Sequence, residues 1–143
     1  MKITIQEDDT VEIFRNRKTG AFRIQPYARA KLSSQPFGQQ TVVSAADAKD
    51  SLLPAVLKNL DKNRSQEYVD ELAPRSSSKE FRRSLREDQL VYVKRFQGKY
   101  RIIPFRRMHN SWGSIEDLEI LVSEAEFLKR GKGLIFDCFG RVP

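Results

Sequence analysis

The sequence is poor in the side chains that most often carry catalysis. Its 143 residues include one cysteine, Cys138, and one histidine, His109. A lone cysteine cannot form an intramolecular disulfide, and a lone histidine cannot supply a histidine metal cluster or a two-histidine acid–base pair. The two could act together as nucleophile and base, but Cys138 lies in the apolar run 134–139, where a free cysteine usually serves as a small core residue. We therefore predict a protein that is not an enzyme and that uses no metal or cofactor.

Long apolar runs and glycine-rich phosphate loops are also missing. No apolar stretch approaches the roughly 20 residues that a membrane-spanning helix needs. The opening residues 1–6 are too short for a signal peptide and run into Glu7, Asp8 and Asp9. A hydrophobic content of 39% is enough for one core. We expect a cytoplasmic protein without membrane contact, folded as a single domain over residues 1–143.

One eight-residue pattern occurs twice. The segments 20–27 and 98–105 both fit Gly-x-aromatic-Arg-Ile-x-Pro-aromatic, at an offset of 78 residues. Each follows an alternating segment that suits a hairpin, and each precedes a short apolar strand and a serine. This order of landmarks predicts an internal duplication, with units at about residues 1–74 and 75–143. The fold class is then α+β, with a mainly antiparallel sheet built from two repeated hairpin-strand-helix units and helices on one face.

Strand alternation predicts which side chains of the repeated pattern face the core. Phe22 and Ile24 share one face, as do Tyr100 and Ile102. The intervening arginines and the final aromatic residues point to the other face; they are Arg23, Tyr27, Arg101 and Phe105. Two readings of that other face stay open, because the aromatic residues could line a partner-binding surface or lie beneath the covering helices.

Serine caps predict where the two helices begin. Ser44 precedes Asp47 by three residues and Ser123 precedes Glu126 by three, a spacing typical of a helix N-terminus. The first helix is expected from about 45 to 60, with a kink or a break at Pro54. Gly131 and Gly133 predict that the second helix is short or broken. A leading strand at 2–5, two helical turns at 66–72 and a serine-rich linker at 75–79 complete the predicted elements.

The net charge of +7 is unevenly distributed, which favours a charged macromolecular partner. The segment from Arg75 to Arg107 holds eleven basic and three acidic side chains. Two surfaces compete as the binding site. An arginine–aromatic set would suit an acidic docking face and consists of Arg106, Arg107, His109 and Trp112. An acidic set would suit a basic partner and consists of Asp8, Asp9, Glu116, Asp117 and Glu119. Because basic residues beside aromatic rings also suit RNA or DNA, a small nucleic-acid-binding module is the alternative.

Three stretches of the sequence resemble bacterial contact-dependent growth inhibition immunity proteins. They are the opening segment 5–27, the segment 35–38 (Gln-Pro-Phe-Gly) and the segment 100–108 (Tyr-Arg-Ile-Ile-Pro-Phe-Arg-Arg-Met). The resemblance covers most of the chain and implies a small cytoplasmic antidote. Such a protein binds the C-terminal toxin domain that a neighbouring cell delivers, frequently a nuclease, and blocks it without catalysis. The family supplies no functional residue to transfer. Antidotes of basic nucleases are often acidic, so the net positive charge is a departure.

Overall fold

The computed structural model describes residues 8–29, 34–36, 38–65 and 78–142. Three helices and eight strands account for most of them. The helices are α1 (Ala48–Ser65), α2 (Ser78–Glu87) and α3 (Glu124–Arg141). The strands are β1 (Asp9–Asn16), β2 (Phe22–Arg29), β3 (Ser34–Pro36), β4 (Thr41–Val43), β5 (Asp88–Phe96), β6 (Lys99–Arg107), β7 (Trp112–Ser114) and β8 (Ile120–Ser123). A 3₁₀ turn, Glu116–Leu118, links β7 to β8. No helix in these ranges is long and apolar enough to cross a membrane.

The strands form one sheet in the order β3-β2-β1-β5-β6-β7, in which β4 also pairs with β2 and β8 also pairs with β6. Every pairing among the described strands is antiparallel. The longest pairing joins β1 to β5 at the centre, where residues from 9–16 meet residues from 88–95. The predicted α+β class with a mainly antiparallel sheet is therefore confirmed.

The pairings of the two halves follow the same pattern. Phe22–Ile24 of β2 pairs with β4, and the stretch 27–29 pairs with β3. In β6 the stretch 99–102 pairs with β8, and the stretch 105–107 pairs with β7. The first hairpin closes through a longer turn at 17–21 and the second through Gln97 and Gly98, both of which have positive φ. This matching order supports our proposal that the chain contains two related units within one domain.

One face of the sheet carries the core, beneath α1 and α3. Its fully buried residues include Phe22, Ile24, Tyr100 and Ile102, as the alternation predicts. Phe22 meets Phe139 of α3 edge-on, with ring centroids 5.5 Å apart, and Tyr100 stacks on Phe127 at 4.1 Å. Large apolar side chains of this kind supply most of the stability of a domain. The face prediction for the four repeat residues is confirmed.

Neither long helix is divided, so the break given as one alternative at Pro54 and the short or broken second helix are wrong. Helix α1 continues through Pro54, and α3 continues through Gly131 and Gly133. Pro54 lies in the second turn of α1 with its side chain exposed, so water can reach the backbone carbonyl that it leaves without a donor. Gly131 is buried, and a Cβ built there would lie 3.1 Å from Leu53 Cδ1. The missing side chain lets α1 and α3 approach closely, which offsets the low helix propensity of glycine.

The predictions for the helix caps are confirmed in part, and most of the remaining predicted elements cannot be compared with the structure. Ser123 caps α3 as predicted, because its side chain accepts a hydrogen bond from the amide of Glu126. Ser44 accepts a hydrogen bond from the amide of Asp47 at 3.2 Å, but α1 begins later than predicted, after one turn. The predicted strand at 2–5 and the helical turns at 66–72 lie outside the described residues, as does 75–77 of the predicted linker. The rest of that linker, 78–79, starts α2.

Helix α2 was not predicted, and it contacts the sheet face opposite the core. Ser84 of α2 donates a hydrogen bond to Asp88 at 2.8 Å, and Arg23 donates one to Ser84 at 3.5 Å. Arg23 alternates with the core residues of β2, so it lies on the sheet face opposite the core, which we call the second face. The prediction of helices on one face therefore describes α1 and α3 but not α2.

Candidate partner-binding surface

The predicted arginine–aromatic set lies on a single hairpin. Arg107 of β6 stands opposite Trp112 of β7, and Arg106 stands opposite Gly113. The amide of Met108 donates a hydrogen bond to the carbonyl of Ser111 at 2.7 Å, which closes the turn between the two strands. Arg106, Arg107 and His109 are exposed, and Trp112 is half-buried. The structure thus brings this set together at one end of β6.

This hairpin forms one wall of an open groove, and α2 forms the other wall. The groove has a volume of about 750 Å³. Its described lining residues are Phe81, Arg82, Leu85 and Arg86 of α2, followed by Arg107, Met108, His109 and Asn110 of the hairpin. Arg107 and His109 were predicted as site residues, whereas the α2 wall was missed. A signal was present, because Phe81 and Leu85 are four residues apart, as are Arg82 and Arg86, the spacing of one helix face.

Three arginines of the groove have no ion pair within the described residues, unlike three arginines of the sheet. Arg23 pairs with Asp88, Arg95 with Asp9 and Asp61, and Arg101 with Glu119. Arg82, Arg86 and Arg107 have no such carboxylate partner among the residues that the structure describes. None of the described residues that line the groove is acidic. The groove therefore presents concentrated positive charge that a partner can neutralise.

The acidic set is divided between three places. Glu116 and Asp117 are exposed on the 3₁₀ turn that follows β7. Glu119 accepts a hydrogen bond from Arg101. That hydrogen bond raises the pKa of Arg101, and the negative charges of Glu119 and Asp8 act in the same direction. Asp8 and Glu119 thus lie near the same arginine, while Glu116 and Asp117 are the acids of the set that remain uncompensated among the described residues.

Asp9 has a different place from the one its sequence position suggested. Its side chain is 1% exposed and lies 2.9 Å from Arg95, its cross-strand neighbour on β5. Arg95 also reaches Asp61 of α1 at 2.9 Å, so the three residues tie α1 to the central strands. Asp9 therefore has a structural position and does not belong to the exposed acidic surface.

A polar cluster that the sequence did not predict occupies the centre of the second face. Glu12 accepts hydrogen bonds from the hydroxyls of Tyr27 and Tyr92, and the two hydroxyls lie 3.1 Å apart. Burial raises the pKa of Glu12 and outweighs the two hydrogen bonds, which act in the opposite direction. Burial also raises the pKa of Tyr27 and Tyr92. The ring of Phe105 packs on Tyr92 at 4.3 Å between centroids, so Tyr27 and Phe105 lie on the face away from α1 and α3.

The two residues considered for a catalytic dyad lie apart in the structure. No group of three or more histidine, cysteine, aspartate or glutamate residues that could hold a metal occurs in the described ranges. Cys138 is buried in the core cluster, and burial raises the pKa of its thiol to about 11, which disfavours the nucleophilic thiolate. His109, its predicted partner in a possible dyad, is exposed on the β6–β7 turn and does not belong to that cluster.

Comparisons with known proteins give a fold and no family. No protein-family model matches the chain, and no curated protein matches it. A solved structure described as a protein of unknown function, NMB0488, from Neisseria meningitidis aligns with a TM-score of 0.70 at 12% identity, over 100% of both chains. A chain of a CdiA-CT/CdiI toxin and immunity complex from Yersinia pseudotuberculosis aligns with a TM-score of 0.70 at 13% identity, over 96% of this chain and 98% of that one. At such identities the likeness shows a shared fold.

Proposed function

We propose that this chain is an immunity protein, which binds a contact-delivered toxin domain in the cytoplasm and neutralises it by stoichiometric, non-catalytic inhibition. The toxin domain is a nuclease in this proposal, as the sequence resemblance implies. One observation carries the proposal: the chain shares its fold, over nearly its whole length, with a chain of a toxin and immunity complex. The motif resemblance in the segments 5–27, 35–38 and 100–108 points to the same class independently of that alignment.

The surface around the β6–β7 hairpin supports a protein-binding role. Arginine and large aromatic residues are enriched at the energetic centres of protein interfaces, and Arg106, Arg107, His109 and Trp112 occupy this one hairpin. We assign them as the anchor of the interface. The exposed Glu116 and Asp117 follow directly on the 3₁₀ turn, and they would act mainly by steering the encounter, because exposed charges are strongly screened by water and salt. Asp8 and Glu119, which lie near Arg101, are secondary contributors in this proposal.

The inhibitor needs no chemistry of its own. A toxin that cleaves nucleic acid must keep its substrate site open, so a protein that covers this site or an adjacent face is sufficient to block it. Specific stable complexes bury about 800 Å² on each partner. That area is larger than the β6–β7 hairpin can offer alone, so the contact is expected to extend from the hairpin onto α2 or the second face of the sheet.

The alternative function is a small basic RNA- or DNA-binding module. It is favoured by Arg82, Arg86 and Arg107 of the groove, which have no ion pair with any residue that the structure describes, since arginines neutralise phosphates. Stacking platforms for single strands also need aromatic rings for successive bases. Among the described lining residues Phe81 is the only phenylalanine, tyrosine or tryptophan, which makes the alternative the weaker fit.

Co-expression with the product of the adjacent upstream gene tests the choice between the two functions. We expect a 1:1 complex that persists through purification at about 0.5 M salt, a concentration at which exposed charge pairs are heavily screened. The proposal is overturned if no protein partner is retained and the chain instead binds generic RNA in a manner that weakens steeply with salt.

A further inference from the structure

We infer that the groove between α2 and the β6–β7 hairpin is the docking site for an acidic, amphipathic segment of the toxin domain. This inference rests on the proposed function and adds the place and the chemistry of the contact. The segment would set aspartate or glutamate side chains against Arg82, Arg86 and Arg107 and insert an apolar side chain between Phe81 and Met108.

Charge is the first argument for an acidic occupant. The described lining contributes three arginines and no carboxylate, and none of the three is paired within the described ranges. Arg82 and Arg86 are four residues apart, so their guanidinium groups project from the same side of α2. Guanidinium groups bind carboxylates through two parallel hydrogen bonds, a geometry that lysine cannot reproduce. An acidic partner would supply carboxylates to these three arginines. Arg23, Arg95 and Arg101 already pair with carboxylates within the fold.

Exposed apolar side chains are the second argument, because they favour an amphipathic peptide over a simple anion as the ligand. Phe81 is 39% exposed and Met108 is 45% exposed, on opposite walls of the groove. Leu85, which is buried, lies between Phe81 and the C-terminal end of α2. Methionine and phenylalanine adapt well to an inserted apolar side chain. A free phosphate or a lone carboxylate would leave this apolar surface in water.

Size is the third argument. A volume of about 750 Å³ falls in the range of pockets that enclose drug-sized molecules, and it corresponds to a few side chains of a partner. The groove is open to solvent, so a partner can enter it. A short segment therefore fits, whereas the rest of the toxin would contact the surface beyond the groove.

Charge reversal on α2 tests the site. The double variant Arg82→Glu/Arg86→Glu is compared with Lys49→Glu/Lys129→Glu, which changes the net charge equally at exposed positions of α1 and α3. Affinity for the toxin domain that co-purifies with the wild type is measured by titration calorimetry, and folding is checked by thermal melting. We expect the α2 variant to bind at least about 30-fold more weakly, since losing a desolvated charge pair costs that much or more, and the control to stay within about threefold. Equal losses in both variants, or none in either, would overturn the inference.

A crosslink identifies the occupant directly. The variant Arg86→Lys keeps the positive charge and supplies an amine, which a carbodiimide joins to a nearby carboxylate through an amide bond. Mass spectrometry of the crosslinked complex should find position 86 joined to an aspartate or glutamate of the toxin. A complex in which position 86 forms no link to the toxin, although other lysines do, contradicts the assignment.

A probe other than the toxin separates this inference from the proposed function. A fluorescein-labelled peptide with glutamates on one helical face and leucines on the other is tested beside the same peptide with lysines in place of the glutamates. We expect anisotropy to show binding of the glutamate peptide only, with loss in Arg82→Glu/Arg86→Glu. Peptide binding without a toxin partner would retain the groove chemistry and remove the immunity function. If the α2 variant binds the toxin as well as the wild type does, the immunity function is retained and the groove is removed as the docking site. Binding of a single-stranded RNA 20-mer that depends on Arg82 and Arg86, with no peptide binding, would replace the acidic segment by nucleic acid.

Discussion

Glu12 of β1 stands directly opposite Tyr92 of β5 in the central strand pair and accepts a hydrogen bond from its hydroxyl at 3.0 Å. The same carboxylate accepts a hydrogen bond from Tyr27, so three side chains from β1, β2 and β5 meet at one oxygen. Sheet strands that are far apart in sequence are held in register partly by such side-chain pairs. The cluster joins the two halves on the second face, as the apolar core does on the first.

The variant Glu12→Gln should change how stability depends on pH. Burial raises the pKa of Glu12 in the folded protein above its ordinary value of 4.5, so the folded state keeps a proton that the unfolded chain releases. Folding stability contributed by this group is therefore complete below the ordinary pKa and is lost as pH rises towards the folded pKa. Glutamine does not titrate. The free energy of unfolding of the variant should therefore increase relative to that of the wild type as pH rises. Urea unfolding between about pH 4 and pH 7 measures the difference.

The control for that experiment is Glu116→Gln, which replaces an exposed carboxyl. It gives the baseline for a carboxyl-to-amide change at an exposed position. A constant difference between Glu12→Gln and the wild type across the range would show that Glu12 titrates alike in both states.

The variants Ile24→Ala and Ile102→Ala should each lower the free energy of unfolding by about 2–5 kcal/mol. Both side chains are fully buried and occupy corresponding places in the two hairpins. Denaturant unfolding measures the loss, and Val42→Ala serves as the control because Val42 is 68% exposed. If either isoleucine variant were as stable as Val42→Ala, that hairpin would not contribute to the core.

The variant Arg95→Met should be strongly destabilising, by about 3–5 kcal/mol, because it removes the arginine that pairs with the buried carboxylate of Asp9. Arg130→Met removes the exposed partner of Glu126 on α3 and should cost less than about 1 kcal/mol. Paired denaturant curves compare the two. The double variant Asp9→Asn/Arg95→Met should recover part of the loss, and a failure to recover any would mean that Arg95 acts through its contacts to Asp61 or by packing.

The two proposed surfaces should affect different rate constants for toxin binding. Trp112→Ala removes apolar contact area from the anchor, so it should mainly speed dissociation. The pair Glu116→Lys/Asp117→Lys reverses exposed charges, so it should mainly slow association and should do so less at high salt. Surface plasmon resonance separates the two rate constants. Wild-type rates in both variants would exclude the hairpin and the 3₁₀ turn from the interface.

Local signals in the sequence predicted the paired hairpins, the core face and the cap of α3. Gly20 and Gly98 mark turns and alternation assigns faces, and each of these rules acts over a few residues. The errors came from distant contacts. The continuity of α3 depends on Gly131 meeting Leu53 of α1, and the burial of Asp9 depends on Arg95, 86 residues away.

The groove shows the same limit. Its hairpin wall could be predicted because Arg106, Arg107, His109 and Trp112 are close in sequence. Its helical wall was missed, although Phe81 and Leu85 have a helical spacing, because the surrounding segment is strongly polar. Nothing local to Arg82 or Arg86 shows that they face Arg107 across a groove. The two walls come together only through the tertiary fold, which places α2 beside the β6–β7 hairpin.

The central pairing of β1 with β5 makes the two halves depend on each other. Either half alone would leave an eight- or nine-residue strand with a full row of unsatisfied backbone donors and acceptors, which is a template for aggregation. Its residues are separated by 72 to 86 positions, so the loop between them must close before the sheet is complete. A truncated chain would therefore be prone to aggregate, and the proposed binding surface on the β6–β7 hairpin is complete only after β7 has been synthesised.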